Sequence, residues 1–150
     1  MNSESKDTTL GPYRSAILEH NRAPHRRGLL AAPSCRGEGH NALCGDQLTV
    51  ELALEAGRIT DFAFEADACA IVIATASMLG DALVGAEPAA LQQLDSDLRR
   101  LLGQAEPAAD AAVLQRLGEL ADLAEMRGLP RRHRCVTLAL EATAQALLTR

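Results

Sequence analysis

The chain has 150 residues, a length that suits one domain with a core of its own. Hydrophobic residues make up 47% and charged residues 23%, a balance that argues against disorder throughout the chain. The formal net charge of −5 argues against a nucleic-acid binder, which usually carries a basic excess.

The first residues predict where the folded part begins and where the protein works. Residues 1–9 are polar and predict a disordered tail, which leaves residues 10–150 as a single domain. They contain no apolar segment typical of a secretory signal, and the longest apolar run, Ala68 to Met78, is too short to span a bilayer. We therefore expect a cytoplasmic protein without membrane or nucleic-acid partners. In that reducing compartment, cysteines are more often metal ligands or reactive groups than disulfides.

The first element is predicted to be a helix that begins near Gly11 and ends at Pro24. Its apolar face has the helical spacing i, i+3, i+4 and i+7. The positions on that face are Tyr13, Ala16, Ile17 and His20. We expect His20 and His25 to be surface or capping groups rather than ligands. An irregular stretch follows, with room for one short strand around Leu29 to Ala32.

A β-hairpin is predicted next. Gln47 to Glu55 alternates apolar and polar residues, which is typical of a half-buried strand. Gly57 suits a tight turn because it can adopt positive φ angles. The return strand is Arg58 to Ala66.

Helices occupy the rest of the chain. Ala70 to Val84 is apolar nearly all round and predicts a buried helix, and Pro88 opens the next one. The apolar stripe of that helix is Leu91, Leu94, Leu98 and Leu101. A further helix is marked by Val113, Leu117, Leu120 and Ala124. The last helix starts at about His133 and has Leu138, Ala142 and Leu147 on its inward face. The predicted fold class is α+β: an N-terminal helix and a small antiparallel sheet of about three strands, packed against about four C-terminal helices.

Three of the four cysteines are predicted to lie at element boundaries rather than in the middle of the core. Cys44 precedes the first long strand, Cys69 lies where the hairpin ends and the buried helix begins, and Cys135 lies in the first turn of the last helix. A helix N-terminus stabilises a thiolate, which is the form that binds metal and attacks sulfur. Cys69 and Cys135 are predicted to have that setting.

These cysteines and one aspartate could form a single metal site. An antiparallel hairpin brings Cys44 near Cys69, and Asp46, two residues after Cys44, can point to the same side. With Cys135 the set would be Cys₃Asp, which suits tetrahedral zinc. The spacing leaves an alternative open: three unrelated small apolar residues, because free cysteine is often buried and the chain has no CxxC pair.

Four segments in the same order carry a family resemblance. They are YRSAILEHNRAPHRRG at Tyr13 to Gly28, CGD at Cys44 to Asp46, ACAIVIATASML at Ala68 to Leu79, and LPRRHRCVTLALEA at Leu129 to Ala142. The sequence resembles the U-type iron–sulfur cluster assembly proteins, namely SufU, IscU and the N-terminal domain of NifU. The resemblance extends from about residue 12 to the C-terminus.

Within that family the sequence is most similar to the SufU branch. IscU-like members have a histidine immediately before the last cysteine, where this chain has Arg134, with His133 one position further back. An additional helical stretch around residues 87–104 also resembles SufU. Two positions depart from the family: Ala68 stands where glycine is usual, and Cys35 has no counterpart.

The resemblance implies a ligand set, a cofactor and a partner. SufU-like members bind zinc through three cysteines and the aspartate of CGD, and they accept sulfur from a cysteine desulfurase. Carried over, the metal ligands are Cys44, Asp46, Cys69 and Cys135, and Cys44 is the sulfur acceptor. The Gly45-containing loop also favours Cys44 as the acceptor, because that loop can move at low cost.

Three functions remain open at this stage. The leading hypothesis is a zinc-binding, sulfurtransferase-type acceptor of persulfide sulfur that works with a cysteine desulfurase. The second is a scaffold that holds a transient [2Fe–2S] cluster on the same residues and passes it to apo iron–sulfur proteins. The third is a structural zinc interaction module without sulfur chemistry. The absence of histidine immediately before Cys135 favours the first.

Overall fold

A computed structural model of the chain describes residues 14–150. The predicted tail at residues 1–9 and the predicted helix positions Gly11 and Tyr13 lie outside the described residues. The described part contains five α-helices, three strands and one 3₁₀ segment. The helices are α1 Arg14–Arg22, α2 Ala70–Leu83, α3 Ala90–Leu101, α4 Ala111–Leu117 and α5 Pro130–Leu148; the strands are β1 Cys35–Asn41, β2 Asp46–Glu55 and β3 Arg58–Asp67; the 3₁₀ segment is Gly118–Gly128.

The strands form one antiparallel sheet in the order β1-β2-β3. Leu48, Val50 and Leu52 of β2 all face inward, as their alternation predicts. Helix α5 packs on β1 and β2, and α2 packs on β3 and α5. The predicted α+β class, with its N-terminal helix, three-stranded antiparallel sheet and C-terminal helices, is confirmed. Among residues 14–150, no helix is long and apolar enough to cross a membrane.

The first strand differs from the sequence-based expectation. The prediction of a short strand around Leu29 to Ala32 was wrong, because β1 is Cys35–Asn41. Its inward positions include Gly37 and Gly39, and because glycine is rare in strands the sequence of β1 does not resemble a strand. A Cβ atom at Gly37 would overlap the backbone of Ala142 and Ala146, so glycine allows α5 to lie directly on the strand.

The predicted helix marked by Val113, Leu117, Leu120 and Ala124 is in fact two pieces. Gly118, with a φ of 56°, ends α4, and the chain continues as the 3₁₀ segment. A 3₁₀ helix has three residues per turn, so the buried positions become Leu120, Leu123 and Met126. Ala124 is exposed, and its assignment to the core was wrong.

The start of the last helix also needs correction. Helix α5 begins at Pro130, not at about His133, because proline suits the first helical position. Cys135 therefore lies in the second turn of α5, and its predicted place in the first turn was wrong.

The N-terminal helix buries the positions that its spacing predicts. Ala16, Ile17 and His20 are all buried. The expectation that His20 is a surface or capping group was wrong, because its ring is 3% exposed and is fixed by hydrogen bonds to Ser77 and Glu119. A polar ring can be buried when both of its nitrogens have partners.

Candidate metal centre

Asp46 is held at the first position of β2, opposite Asn41 in β1. It lies two residues before Leu48 on the inward face of the strand and is only 4% exposed. One carboxylate oxygen, Oδ1, accepts the backbone N–H of Cys69 at 3.0 Å. The other, Oδ2, lies 4.0 Å from the Sγ atom of Cys135. Asp46 thus connects the start of the hairpin to two of the predicted cysteines.

Cys69 occupies the N-cap position of α2, as the sequence predicts. Its backbone is extended, and its side chain makes no capping hydrogen bond. The Asp46 carboxylate instead accepts the N–H of Cys69 itself, one of the N–H groups that the start of a helix leaves without a partner. The half-buried thiol of Cys69 is therefore left available to the space beside Asp46 and Cys135.

Cys135 is fully buried, so the expectation that none of the three cysteines lies in the core was wrong for this residue. Burial, followed by a hydrogen bond with Cys69 and the charges of Cys69 and Asp46, raises the pKa of the Cys135 thiol to about 12; only Arg132 acts in the opposite direction. The predicted thiolate stabilisation by a helix N-terminus loses its basis, because Cys135 lies beyond the first turn of α5, where that effect falls off. Without a metal ion, Cys135 is therefore a neutral thiol.

Asp46, Cys69 and Cys135 come together at one point. One ligand atom from each lies within 4.8 Å of the other two. Two sulfurs and one carboxylate oxygen form a donor set that Zn²⁺ accepts, with bonds of about 2.3 Å to sulfur and about 2.0–2.2 Å to oxygen. The same sulfur-rich set also suits iron in a cluster. The residues present therefore fit a thiophilic ion, with at least one coordination position left open.

Cys44 is not part of that close group. It is exposed on the turn between β1 and β2, where Asn41 O accepts hydrogen bonds from the N–H groups of Cys44 and Gly45 at 3.2 and 2.8 Å. Gly45 has a φ of 73°, a conformation that suits glycine. The structure thus brings together three of the four predicted site residues and places the fourth on an adjoining exposed turn.

This chain resembles known proteins in both its sequence and its fold. Residues 12–119 match the family described as the NifU-like N terminal domain. The chain belongs to this family, that of the U-type iron–sulfur cluster assembly proteins. The match covers three of the four sequence segments that carry the resemblance, and the resemblance to this family is confirmed.

Individual members of the NifU-like family extend the comparison over most of the chain. The iron–sulfur cluster assembly scaffold protein IscU of Streptococcus pyogenes serotype M1 is 31% identical over 136 residues, covering 90% of this chain and 82% of that protein. The zinc-dependent sulfurtransferase SufU of Bacillus subtilis strain 168 is 28% identical, covering 87% and 85%. The crystal structure of an N-terminal NifU-like protein from Brucella abortus superposes with a TM-score of 0.77 at 31% identity, covering 91% of this chain and 92% of that one.

Arg132 is a site residue of this NifU-like chain that the sequence analysis missed. Its guanidinium forms a hydrogen bond with Cys135, and this bond, with the charges of Cys69, Cys135 and Cys44, raises the pKa of Arg132. The sequence signal for it is the basic run RRHR at Arg131 to Arg134, which immediately precedes Cys135. A cation beside several thiols favours their thiolate forms.

Cys35, the fourth cysteine, lies apart from this centre. It is buried on β1 opposite Leu52, and burial raises the pKa of its thiol. All four cysteines of the chain lie within the described residues and are free thiols. Cys35 therefore serves as a matched control for experiments on the other three.

Proposed function

We propose that this NifU-like protein holds zinc through Cys44, Asp46, Cys69 and Cys135 and accepts sulfur on Cys44 from a cysteine desulfurase. The observation that carries the proposal is the convergence of Asp46, Cys69 and Cys135 beside an exposed, glycine-containing turn that bears another thiol. Asp46, Cys69 and Cys135 come from separate elements and are already positioned for an ion. The fourth ligand, Cys44, belongs to the most exposed part of the site.

Electrostatics support a role for Cys44 in the same site. The Arg132 guanidinium interacts with the charges of Cys44, Cys69 and Cys135 alike, so the three thiols share one neighbourhood. The Cys44 turn, in which Gly45 has a φ of 73°, would have to move to bring its sulfur to the other three ligands. Zinc, when bound, would supply a charge that keeps its cysteine ligands deprotonated.

The surroundings of Cys44 suit the approach of another protein. Cys44 borders a cleft of about 560 Å³ whose walls include Leu43, Arg131 and Arg134. The Leu43 side chain is 98% exposed, which is unusual for a large apolar residue. An incoming desulfurase could cover Leu43 while its persulfide reaches Cys44.

The transfer itself is a thiol exchange. The Cys44 thiolate attacks the outer sulfur of the persulfide carried by the desulfurase cysteine. A new S–S bond forms on Cys44 as the bond in the partner breaks, and the partner cysteine leaves as a thiolate. No external oxidant is needed, because the sulfur keeps its oxidation state and only changes carrier.

A scaffold function is the second candidate. The two thiols of Cys69 and Cys135 suit iron as well as zinc, and the relative from Streptococcus pyogenes is named as a scaffold. In that case a [2Fe–2S] cluster would be cargo that is built at the centre and passed to apo iron–sulfur proteins. Metal and acid-labile sulfide analysis of protein purified without oxygen separates the two: zinc without sulfide supports the acceptor, and iron with sulfide supports the scaffold.

Persulfide mapping tests the acceptor directly. The protein is incubated with a cysteine desulfurase and free cysteine, the persulfides are trapped by alkylation, and the peptides are identified by mass spectrometry. Persulfide is expected on the Cys44 peptide, to vanish in Cys44→Ser and to persist in the control Cys35→Ala. Persulfide found mainly on Cys135, with Cys44→Ser still accepting sulfur, would reject the assignment and favour the scaffold.

A further inference from the structure

A second group of metal-ligating side chains lies away from the cysteines. His20 of α1, His25 of the following loop and Asp81 of α2 each place one ligand atom within 4.8 Å of the other two. The two imidazole rings have centroids 4.5 Å apart and are tilted by 55°. Three separate segments of the chain thus direct nitrogen and oxygen donors to one point.

His20 is the fixed member of this group. Its ring is 3% exposed, its Nδ1 lies 2.7 Å from Ser77 Oγ, and its Nε2 lies 2.8 Å from Glu119 Oε1. Ser77 is itself held, because its hydroxyl oxygen accepts the backbone N–H of His25 at 2.7 Å. A histidine ligand commonly has one nitrogen oriented by such a polar neighbour while the other binds the ion.

Glu119 adds a fourth donor. The separation of 2.8 Å between His20 Nε2 and a Glu119 carboxylate oxygen is that of a hydrogen bond, which would have to open for both groups to bind one ion. The Glu119 side chain is 58% exposed and can adjust its position. The three-residue group itself offers two imidazoles and one carboxylate, and Glu119, which lies beside it, is a second carboxylate that movement of its side chain could bring in.

His25 and Asp81 are the adjustable members. Their side chains are 55% and 31% exposed, and His25 Nδ1 lies 2.7 Å from Asp81 Oδ2. Arg26 lies 3.4 Å from the other oxygen of Asp81 and is a cation that competes with an incoming ion for this carboxylate. The ion pair of Arg26 with Asp81 is partly exposed and contributes little stability. Breaking it would therefore oppose metal binding only weakly.

An open cleft gives this point access to solvent. Asp81 and Glu119 both line a cleft of about 470 Å³ between α2, α3 and the 3₁₀ segment. An ion held at its edge would keep coordination positions open towards the cleft. A closed structural site would instead be shielded on all sides.

We propose that His20, His25, Asp81 and Glu119 form a second metal site, which takes a divalent first-row transition ion such as Zn²⁺ or Fe²⁺. Imidazole with carboxylate is a donor set for this class of ion, whereas Mg²⁺ prefers oxygen ligands alone. Ser77 and Asp81 lie eight and twelve residues beyond Cys69 on α2, which is about 12–18 Å along the helix. One ion cannot serve both places, so this site is independent of the proposed sulfur chemistry.

A cobalt titration of the full chain tests the proposal. Metal is removed with a chelator, and Co²⁺ is added without oxygen in the presence of excess Mg²⁺, which occupies sites made of carboxylates alone. We expect two bound ions per chain after desalting. One gives the intense near-ultraviolet band of thiolate-to-cobalt charge transfer; the other gives only weak visible bands, because its ligands are nitrogen and oxygen.

Substitutions assign the second ion. His25→Ala is expected to remove it and to leave the thiolate band unchanged, whereas His40→Ala, which removes an exposed imidazole elsewhere, retains both ions. Asp81→Asn keeps a hydrogen-bond acceptor for His25 and is expected to lower the affinity for the second ion by at least about tenfold. Circular dichroism verifies the fold of each variant.

Two results would overturn this site. One is a chain that takes up cobalt with the thiolate band alone. The other is a second ion that binds as tightly to Asp81→Asn and His25→Ala as to the unsubstituted protein. Loss of the thiolate band with retention of the weak bands would instead count against the cysteine centre and leave the histidine site standing.

Discussion

Asp46 performs two tasks that can be separated by substitution. Its Oδ1 accepts the Cys69 N–H at the start of α2, and its Oδ2 faces Cys135. Asp46→Ala removes both, so we expect it to lower the free energy of unfolding by about 1.5–3 kcal/mol, the usual contribution of a hydrogen bond to a charged group. The thiols should still bind metal, but the ion should exchange faster and sulfur acceptance should fall. The reason is that the coordination position of Asp46 is no longer filled by a carboxylate of the protein.

The comparison variants for this prediction are Asp46→Asn and Asp67→Ala. Asp46→Asn keeps an oxygen for the Cys69 N–H and should recover most of the stability without recovering slow exchange. Asp67 is an exposed carboxylate at the same end of the sheet, paired with Gln47, and its removal should change neither property. Full sulfur acceptance by Asp46→Ala, or complete loss of both metal and fold, would contradict the two-task account. Denaturant unfolding and metal-exchange rates provide the measurements.

The residue scale also indicates which parts of the site can be predicted from sequence. The meeting of Asp46 with Cys69 follows from the hairpin, because the first residue of one strand lies near the end of the next. The burial of Cys135 does not follow, because it depends on where α5 begins and on long-range packing. Arg132 was missed for a similar reason: its guanidinium points at thiols that are distant in sequence.

At the scale of elements, the contact of β1 with α5 depends on Gly37. A Cβ atom there would overlap the carbonyl oxygen of Ala142 and the backbone nitrogen of Ala146, and backbone atoms cannot rotate away. We expect Gly37→Ala to lower the free energy of unfolding by about 1–3 kcal/mol, as overpacking does. Gly128→Ala is the control, because a Cβ atom there meets nothing within 4 Å. Equal unfolding curves for the two variants would show that α5 does not need the close approach.

A buried ion pair links α3 to α4. Arg116 donates two hydrogen bonds of 2.9 Å to the fully buried carboxylate of Asp97. Because the hydrogen bonds from Arg116 favour the charged form, the pKa of Asp97 lies below its ordinary value of 3.8. The ionised carboxylate therefore stabilises the fold above about pH 4, and this contribution is lost as the pH falls through the lower folded pKa.

This pair predicts a pH-dependent effect of Arg116→Met. At pH 7 the variant should unfold at a clearly lower temperature, because Asp97 is left charged and buried without its partner. The difference should shrink as the pH falls below 4, where the pair no longer stabilises the unsubstituted protein. Arg99→Met removes a more exposed pair with Asp95 and should change stability by less than about 0.5 kcal/mol. A difference between Arg116→Met and the unsubstituted protein that stays constant from pH 7 to pH 3 would contradict this account.

Element prediction succeeded where one local pattern determined the structure. The alternation of β2 and the apolar run of α2 each specify a buried face without reference to the rest of the chain. Strand β1 was misplaced because its glycines are selected by contact with α5, which the local sequence does not reveal. The helix break at Gly118 was missed because the 3₁₀ segment preserves an apolar repeat with a different period.

At the scale of the whole molecule, the cysteine centre joins the start of the hairpin, the start of α2 and the second turn of α5. Cys69 and Cys135 are 66 positions apart, so an ion that binds both constrains a long loop of chain. An ion at a hundred times its dissociation constant stabilises the folded state by about 2.7 kcal/mol. In a domain of this size that corresponds to about 5–10 °C in the thermal midpoint.

We therefore expect a chelator to lower the thermal midpoint of the metal-loaded protein by about that amount. The measurement is made in the His25→Ala variant, so that an ion at the histidine site cannot contribute. Adding Cys135→Ala should abolish the response to chelator, because a ligand from α5 is lost, whereas adding Cys35→Ala should preserve it despite a lower starting midpoint. If the midpoint does not change after metal analysis has verified removal of the ion, the apolar core holds these three elements together by itself and the centre serves chemistry alone.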